Sequence, residues 1–172
     1  MNAHEREGHH APDVETVGVG LLTVSSSRTL EDDPTGDALV DAVEAADMTV
    51  ATRNLVTDEL APVRAAVEAM LAEDAVDLVI TSGGTGLTPD DVTVQAVQPL
   101  FTRNIPGFGE LFRMLSYEAV GPLAMASRAT AGLAEGTPVF CLPGSQDAAD
   151  LAAGDLILPV AGHLVGLAER GH

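Results

Sequence analysis

The feature that most constrains the fold is the alternation of short apolar, β-branched segments with longer segments of helical spacing. Strands are predicted at residues 17–24, 48–55, 77–81, 130–133 and 138–142, and helices at residues 37–46, 62–71, 92–100, 108–117, 146–153 and 156–168. Strands that alternate with helices predict a mostly parallel sheet with helices on both faces. Such sheets bind ligands beyond the carboxyl ends of their strands, so the loops that follow strands are the candidate site.

The length of 172 residues fits one domain with its own core. Residues 15–172 are predicted to form this domain, and the polar residues 1–14 to form a disordered N-terminal tail. Three tail histidines, His4, His9 and His10, suit either a metal or a solvated tail, and the solvated tail is favoured. The N-terminus lacks the apolar centre of a secretory signal, and no apolar run reaches the ~18 residues of a membrane span. We therefore expect a cytoplasmic protein without a membrane partner.

The charge of the chain is strongly acidic. Its 26 Asp and Glu residues oppose 8 basic residues, all of them Arg, and the formal net charge is −18. A chain with no Lys offers no basic face for a phosphate backbone, which argues against a nucleic-acid partner. An apolar content of 46% is too high for a disordered chain. We expect a folded protein whose acidic surface suits high salt, which screens self-repulsion, and hence a halophilic source such as a halophilic archaeon.

No pair of a nucleophile and its base stands out in the sequence. The single cysteine, Cys141, excludes an intrachain disulfide. It lies in an apolar segment, where a buried small hydrophobe is favoured over a nucleophile. His163 falls in the C-terminal helical region and is expected to be a helix-surface or packing residue. The spacing of Cys and His indicates no zinc site.

A glycine-rich loop at residues 81–91 is the strongest candidate for chemistry, because it connects an apolar strand to a helix. Its glycines let the backbone approach a ligand closely, and N–H groups near a helix N-terminus suit a phosphate. The candidate phosphate-binding residues are Ser82, Gly83, Gly84, Thr85 and Gly86. The loop lacks the Gly-Lys-Ser/Thr ending of a P-loop and the glycine spacing of a dinucleotide fingerprint. A simple tight turn is the alternative interpretation.

Two carboxylates, Asp90 and Asp91, end this loop. Both would repel a bound polyphosphate unless a divalent cation lay between them and the phosphates. One or two carboxylates together with substrate phosphates are the usual ligands of Mg²⁺ in such sites. The pattern indicates a metal-nucleotide site, and helix capping or simple solvation of the two side chains is the alternative.

Three other segments also follow predicted strands. The loop from Ser25 to Gly36 presents Thr35 and Gly36 at a helix start, where they suit a phosphate. Asp32 and Asp33 of that loop suit either a cap or a metal, and Arg28 either a phosphate contact or a surface ion pair. Pro143, Gly144 and Ser145 suit a polar ring, a phosphate or a plain turn. Asp58 follows the second strand, and its local pattern favours a cap ahead of Pro62.

Residues 81–93, Thr-Ser-Gly-Gly-Thr-Gly-Leu-Thr-Pro-Asp-Asp-Val-Thr, resemble the signature of the MoaB/MogA molybdopterin-binding family. Further blocks at residues 105–118, 127–132 and 140–145 match the blocks of this family in the same order. The resemblance runs from about Val17 to the C-terminal helix and so covers nearly the whole chain. The glycine motif alone would not be specific, whereas the blocks together are.

The resemblance implies a three-layer α/β/α fold, a homotrimer or hexamer, and a reaction in which molybdopterin and Mg-ATP give adenylyl-molybdopterin and pyrophosphate. It implies that Asp58 and Asp91 bind Mg²⁺ and act in catalysis, which favours Asp91 over Asp90. The substrate-binding residues that it implies are Ser25, Thr35, Gly36, Ser82, Gly83, Gly84, Thr85, Gly86, Pro143, Gly144 and Ser145. The downstream protein that inserts the metal is a further candidate partner.

Other functions remain open at this point. A non-catalytic molybdopterin carrier of the same fold is the main alternative. Proteins that process nicotinamide nucleotides share the fold but usually carry Gly-Leu-Gly-Pro-Thr in the glycine loop and a second domain. A purely structural oligomer does not account for the polar loops at strand ends. Multidomain metal-insertion proteins share this domain, but 172 residues leave no room for their other parts.

Several details are not decided by the sequence. They are the metal of the pathway, molybdenum or tungsten; the choice between trimer and hexamer; the activity of this member; and the roles of Asp90, Arg28 and Arg113. The apolar residues Phe101, Phe108, Phe112 and Met114 suit either an interface or the core.

Overall fold

The computed structural model describes residues 13–169. The predicted tail lies outside this range except for its last two residues, of which Val14 donates its backbone N–H to the Gly162 carbonyl at 3.2 Å. The strands are β1 (Gly18–Val24), β2 (Thr49–Val56), β3 (Leu78–Ser82), β4 (Arg103–Asn104), β5 (Thr130–Ala134) and β6 (Thr137–Leu142). The helices are α1 (Pro34–Ala45), α2 (Leu60–Leu71), α3 (Thr93–Val97), α4 (Pro106–Val120), α5 (Gln146–Leu151) and α6 (Ala161–Glu169).

The six strands form one sheet in the order β2-β1-β3-β6-β5-β4. The first four are parallel, and β5 and β4 add antiparallel pairs at one edge. The β5–β6 hairpin turns at Glu135 and Gly136, which both have positive φ, as a two-residue hairpin turn requires. The predicted mostly parallel sheet is therefore confirmed, with the antiparallel edge as an addition.

Two apolar cores lie on opposite faces of the sheet and make the fold a three-layer α/β/α sandwich. Successive residues of a strand point to opposite faces, so Leu21 faces α1 and the C-terminal helices, whereas Leu22 faces α2 and α3. Cys141 is fully buried in the second core, and this burial raises the pKa of its thiol to about 12. It is thus the small buried hydrophobe that the sequence predicts.

The C-terminal segment is one continuous helical stretch, which corrects the prediction of separate helices at residues 146–153 and 156–168. A π-helical turn at Ala152–Ile157 and a 3-10 turn at Leu158–Val160 join α5 to α6. By length and composition alone, this stretch is apolar enough to cross a membrane. Its apolar side chains, including Ala149, Ile157 and Val165, pack in the core against the sheet. Its hydropathy is thus accounted for by burial inside the domain.

Helix α4 begins two residues before the prediction, at Pro106, and continues into a 3-10 helix at Gly121–Ala126. Phe108 and Phe112 stack with ring centroids 6.1 Å apart and are buried in the first core, and Phe101 packs against the second. Met114 is 59% exposed. The three phenylalanines therefore belong to the core, and only the methionine suits an interface.

Candidate active site

The loops after β1, β3 and β6 meet at the carboxyl edge of the sheet. Gly83 lies so close to the Val24 carbonyl that a Cβ at this position would clash with it, and a Cβ on Gly144 would lie 3.2 Å from the Gly83 Cα. The Thr35 hydroxyl donates to the Gly144 carbonyl at 2.9 Å. Three of the segments predicted to bind substrate are therefore in direct contact, although more than 100 residues separate Thr35 from Gly144.

The glycine loop turns sharply through Gly83 and Gly84, whose φ angles of 101° and 69° favour glycine. Its N–H groups are not equivalent. Gly83 donates to the Leu142 carbonyl at 2.9 Å, and Gly86 donates to the Asp91 carboxylate. Within residues 13–169, no group accepts a hydrogen bond from the N–H of Gly84 or Thr85. Both amides are therefore candidates for binding an anion.

Asp91 closes the exposed turn that follows the glycines. Its Oδ2 accepts from the N–H and the hydroxyl of Thr88 at 2.8 and 2.7 Å. Burial by itself raises the pKa of Asp91, but the Thr88 and Gly86 hydrogen bonds and the nearby positive charge of Arg128 outweigh it and hold that pKa below its usual value. The half-buried carboxylate is therefore ionised at neutral pH and can bind a cation.

Asp58 is joined to the β1 loop by a reciprocal pair of hydrogen bonds. The Ser26 N–H donates to the carboxylate at 2.7 Å, and the Asp58 N–H donates to the Ser26 hydroxyl at 3.1 Å. The carboxylate thus faces the neighbouring loop and does not cap α2, whose N-cap residue Glu59 makes no side-chain cap. In the sheet, β1 lies between β2 and β3, so Asp58 and Asp91 approach the edge from strands about 10 Å apart.

Asp33 is the N-cap of α1. The sequence left open whether Asp33 is a cap or a metal ligand, and the structure shows the cap. Its carboxylate accepts from the Gly36 N–H at 3.0 Å and the Thr23 hydroxyl at 2.6 Å, and it pairs with Arg53 at 3.3 Å. Burial by itself raises the pKa of Asp33, but these partners hold it below its usual value. Because the cap occupies the Gly36 N–H, that amide is not free for a phosphate.

Other predicted residues lie at the same edge but are partly engaged in the fold. The Ser145 hydroxyl caps α5 through the Ala148 N–H at 3.3 Å. The Ser25 N–H donates to the Val56 carbonyl at 2.9 Å. Ser82, at the end of β3, is 1% exposed, and its hydroxyl has no hydrogen-bond partner among the described residues. Pro143 is half-buried beside Gly144.

A cavity of about 250 Å³ lies next to Pro143 and Ser145, between α4, the 3-10 helix after it and α5. Its walls are mostly apolar and include Phe112, Leu123 and Leu151. An apolar cavity beside polar loops suits a flat ring that carries a phosphate.

Within residues 13–169, no three His, Cys, Asp or Glu side chains cluster as a complete metal site. A magnesium ion that keeps waters and substrate phosphates as ligands needs only one or two carboxylates. Asp58 and Asp91 fit such an ion because both are half-buried carboxylates in loops that follow parallel strands, Asp58 shortly after β2 and Asp91 at the close of the turn after β3. Asp90 is exposed and makes no side-chain hydrogen bond within the described range.

The sequence interpretation missed Arg128 as a functional residue. Its Nε donates to the Gly86 carbonyl and its Nη2 to the Asp91 carbonyl, both at 2.7 Å. The one available signal was its position within a block that matched the family, in a chain with only 8 basic residues. Arg113, whose role was open, donates to the Ser127 and Ala129 carbonyls at 3.3 and 3.0 Å and so supports the segment that carries Arg128.

Comparisons with known proteins agree with this geometry. The model of the family described as "Probable molybdopterin binding domain" matches residues 20–163. Molybdenum cofactor biosynthesis protein B of Bacillus subtilis (strain 168) is 42% identical over 166 residues, which are 96% of this chain and 95% of the relative.

Solved structures show the same similarity. A crystal structure of Molybdenum cofactor biosynthesis protein B has a TM-score of 0.89 and 41% identity, and the match covers 92% of this chain and 99% of the other. The tungsten cofactor synthesizing protein MoaB from Pyrococcus furiosus has a TM-score of 0.81 and 31% identity, with 90% and 98% of the two chains covered.

Proposed function

The chain belongs to the MoaB/MogA family of molybdopterin-binding domains, and from this premise we propose that it adenylylates molybdopterin with Mg-ATP. Its relatives are named for molybdenum or tungsten cofactor biosynthesis, and we assign this chain to the same pathway. The observation that carries the proposal is the meeting of the β1, β3 and β6 loops beside two ionisable carboxylates at the carboxyl edge of the sheet.

In the proposed reaction, an oxygen of the terminal phosphate of molybdopterin attacks the α-phosphorus of ATP. A new phosphoanhydride bond forms, the bond between the α- and β-phosphates breaks, and pyrophosphate leaves with that electron pair. Such transfers depend on positioning and on neutralisation of charge, so no protein nucleophile is needed. The buried, protonated thiol of Cys141 is consistent with this requirement.

Different residues of the chain would bind the phosphates, the metal ion and the pterin ring. The free N–H groups of Gly84 and Thr85 are suited to hold phosphate oxygens. Asp58 and Asp91 would hold Mg²⁺, which, when bound, offsets the charge on the attacking and leaving oxygens. The apolar cavity beside Pro143 and Ser145 offers room for the pterin ring. With no Lys in the chain, this division predicts a strong dependence on the metal.

The test is an adenylylation assay with purified molybdopterin, ATP and Mg²⁺ in molar KCl, with pyrophosphate and adenylyl-molybdopterin as the measured products. Asp58→Asn and Asp91→Asn are each expected to lower kcat on the order of 100-fold, since each removes one charge from the metal site. Asp90→Asn removes the same charge next to Asp91 but from an exposed side chain, and we expect it to stay within about twofold of wild type.

A molybdopterin carrier without turnover is the second candidate function. The observation that favours it is that both carboxylates already accept hydrogen bonds from the protein, as purely structural aspartates do. Tight molybdopterin binding with no pyrophosphate from wild type would establish the carrier and overturn the enzyme. Equal loss of activity in all three variants would instead mean that general surface charge, rather than a metal site, controls the rate.

We also propose that copies of the chain associate through α4 and the 3-10 helix after it, as a trimer or hexamer in the cytoplasm. The exposed apolar side chains there are Leu111, Met114, Tyr117, Val120, Leu123 and Met125. A contiguous apolar surface on so acidic a chain indicates an interface. Light scattering of Met125→Glu should show a smaller particle than wild type, and an unchanged mass would reject this surface as the interface.

A further inference from the structure

We infer that Arg128 is a positioning residue of this site: its side chain fixes the turn at residues 86–91 that presents Asp91. The inference rests on the proposed function for its consequence in catalysis. Whether Arg128 orders the turn does not depend on the reaction and can be tested on the free protein, without turnover.

The first observation is that Arg128 spans the turn from end to end. Its Nε and Nη2 each lie 2.7 Å from a backbone carbonyl, that of Gly86 at the start and that of Asp91 at the end. Its own N–H donates to the Thr85 carbonyl at 2.9 Å. One residue therefore makes three hydrogen bonds to the loop that carries the candidate phosphate and metal ligands.

The second observation is that the turn has little else to hold it. Residues 87–90 are exposed, and Leu87 is 71% exposed. The hydrogen bonds of Asp91 to Thr88 lie within the turn and do not attach it to the body of the protein. The hydrogen bonds of Thr93 to the Gly83 and Gly84 carbonyls anchor the glycines, but they lie outside residues 86–91. Among the described residues, the two bonds from Arg128 are the side-chain hydrogen bonds that join this turn to the rest of the protein, and segments with few buried contacts open readily without such bonds.

The third observation is where the guanidinium binds. It contacts the main-chain carbonyl of Asp91 rather than the carboxylate, and Arg128 takes part in no ion pair within residues 13–169. The turn is thus held in place while the carboxylate keeps its negative charge for a cation. A Lys at this position has a single ammonium group, which cannot reproduce the planar pair of donors.

Arg128 is itself attached to the sheet. It immediately precedes Ala129, which is 2% exposed and leads into β5, and Arg113 of α4 donates to the carbonyls on either side of it. A connected path therefore runs from α4 through Arg128 to the turn. Because Arg113 belongs to this path, the matched control is Arg64, which also donates to a backbone carbonyl, that of Ala96 at 3.1 Å, but within residues 13–169 has no hydrogen bond to the glycine loop or to the segment that carries Arg128.

The experiment compares Arg128→Lys and Arg128→Gln with Arg64→Lys by hydrogen exchange of the free protein and by the adenylylation assay. In the two Arg128 variants, we expect the Thr88 amide, which Asp91 holds, to exchange at least about tenfold faster, while core amides of β1 and β3 stay protected. We expect kcat to fall about 10- to 100-fold and the Mg²⁺ concentration for half-maximal rate to rise, as for residues that orient metal ligands. Arg64→Lys should leave both readouts within about threefold of wild type.

The outcomes separate this inference from the proposed function. Unchanged exchange of Thr88 in both Arg128 variants overturns the positioning role, whatever the activity does. Equal effects of Arg64→Lys and Arg128→Lys also overturn it, because the loss would then come from general loosening of the domain. If the Thr88 amide exchanges faster in the Arg128 variants but the wild type makes no pyrophosphate, the positioning role of Arg128 stands. Only the proposed reaction is then rejected.

Discussion

Two turns of this protein hold an aspartate with nearly the same hydrogen bonds and use it differently. At the start of α1, Asp33 accepts from the Gly36 N–H and a threonine hydroxyl; in the turn after the glycine loop, Asp91 accepts from the Thr88 N–H and hydroxyl. An arginine lies beside each. Arg53 pairs with the carboxylate of Asp33, whose side chain is 0% exposed, whereas Arg128 binds the carbonyl of Asp91.

The difference shows how a fold separates an enclosed, ion-paired carboxylate from one that stays available to a cation. Hydrogen bonds hold the pKa of both groups below the usual value, so both are ionised. At Asp33 the negative charge is matched by Arg53 and enclosed. At Asp91 the arginine orders the backbone and leaves the half-buried carboxylate without an ion-pair partner in the described part of the chain. The position of the guanidinium, more than the number of hydrogen bonds, distinguishes the two sites.

The largest expected effect is on activity. Asp91→Asn should lower kcat on the order of 100-fold and change the free energy of unfolding by less than about 1 kcal/mol. Asp33→Asn should retain activity within about threefold, since Asn still accepts from the Gly36 N–H as an N-cap. Steady-state assays and urea unfolding of both variants in molar KCl measure the contrast. A similar loss of kcat in the two variants would abolish the distinction between the sites.

The next effect concerns the glycines that lie against each aspartate. A Cβ on Gly36 would clash with the enclosed Asp33 carboxylate, and a Cβ on Gly86 would lie 2.6 Å from the Asp91 Oδ2. Gly36→Ala should therefore destabilise the fold by about 2 kcal/mol, because neither partner can move aside. Gly86→Ala should cost less than about 1 kcal/mol, because the freer carboxylate shifts, but its displacement should lower kcat at least about tenfold.

Thermal unfolding and the adenylylation assay together measure both glycine variants. The opposite result would be a Gly86→Ala variant that loses stability and a Gly36→Ala variant that loses only rate. It would show that Asp91 is the rigid carboxylate and Asp33 the movable one.

The sequence predicted much of this edge, and the reasons for its failures are physical. The five longer strands were predicted to within about one residue, since turn residues bound them and most are apolar runs; β2, which includes Arg53 and Asn54, is the exception. The two-residue β4 has no such run and is defined only by its pairing with β5. The break predicted in the C-terminal helix fell at Gly154 and Asp155, where a π-helical turn keeps the helix continuous.

The parts of the site that could not be predicted depend on contacts between distant residues. Asp58 has a local pattern that indicates a helix cap, but its partner Ser26 lies 32 residues earlier. Arg128 contacts carbonyls 42 and 37 residues before it. Every residue has a backbone carbonyl, so the sequence does not indicate which carbonyls an arginine will contact. The family resemblance raised Asp58 above a helix cap and favoured Asp91 over Asp90, whereas the local pattern by itself had already indicated a metal-nucleotide site at the two aspartates of the glycine loop.

A smaller effect should appear in the dependence of stability on pH. The folded-state pKa of Asp33 is lowered from its ordinary value of 3.8, so its contribution to stability is present above that value and is lost as pH falls through the folded pKa. Wild type should exceed Asp33→Asn by about 1–2 kcal/mol near pH 6. Urea unfolding down to pH ~2.5 should show this difference shrinking as Asp33 gains its proton. A difference that persists undiminished there would assign the loss to packing and not to the charge.

The smallest effect is expected at Asp37, the exposed carboxylate that shares Arg53 with Asp33. Arg53 also pairs with Asp37 at 2.8 Å, but that carboxylate is 61% exposed. Such pairs contribute at most about 0.5 kcal/mol and are screened by salt. Asp37→Ala should therefore lower stability slightly at low ionic strength and not measurably in molar KCl, while the cost of Asp33→Asn should persist in both. Loss of both effects in molar salt would mean that Asp33 is as solvent-screened as Asp37, which its enclosure by Thr23, Gly36 and Arg53 argues against.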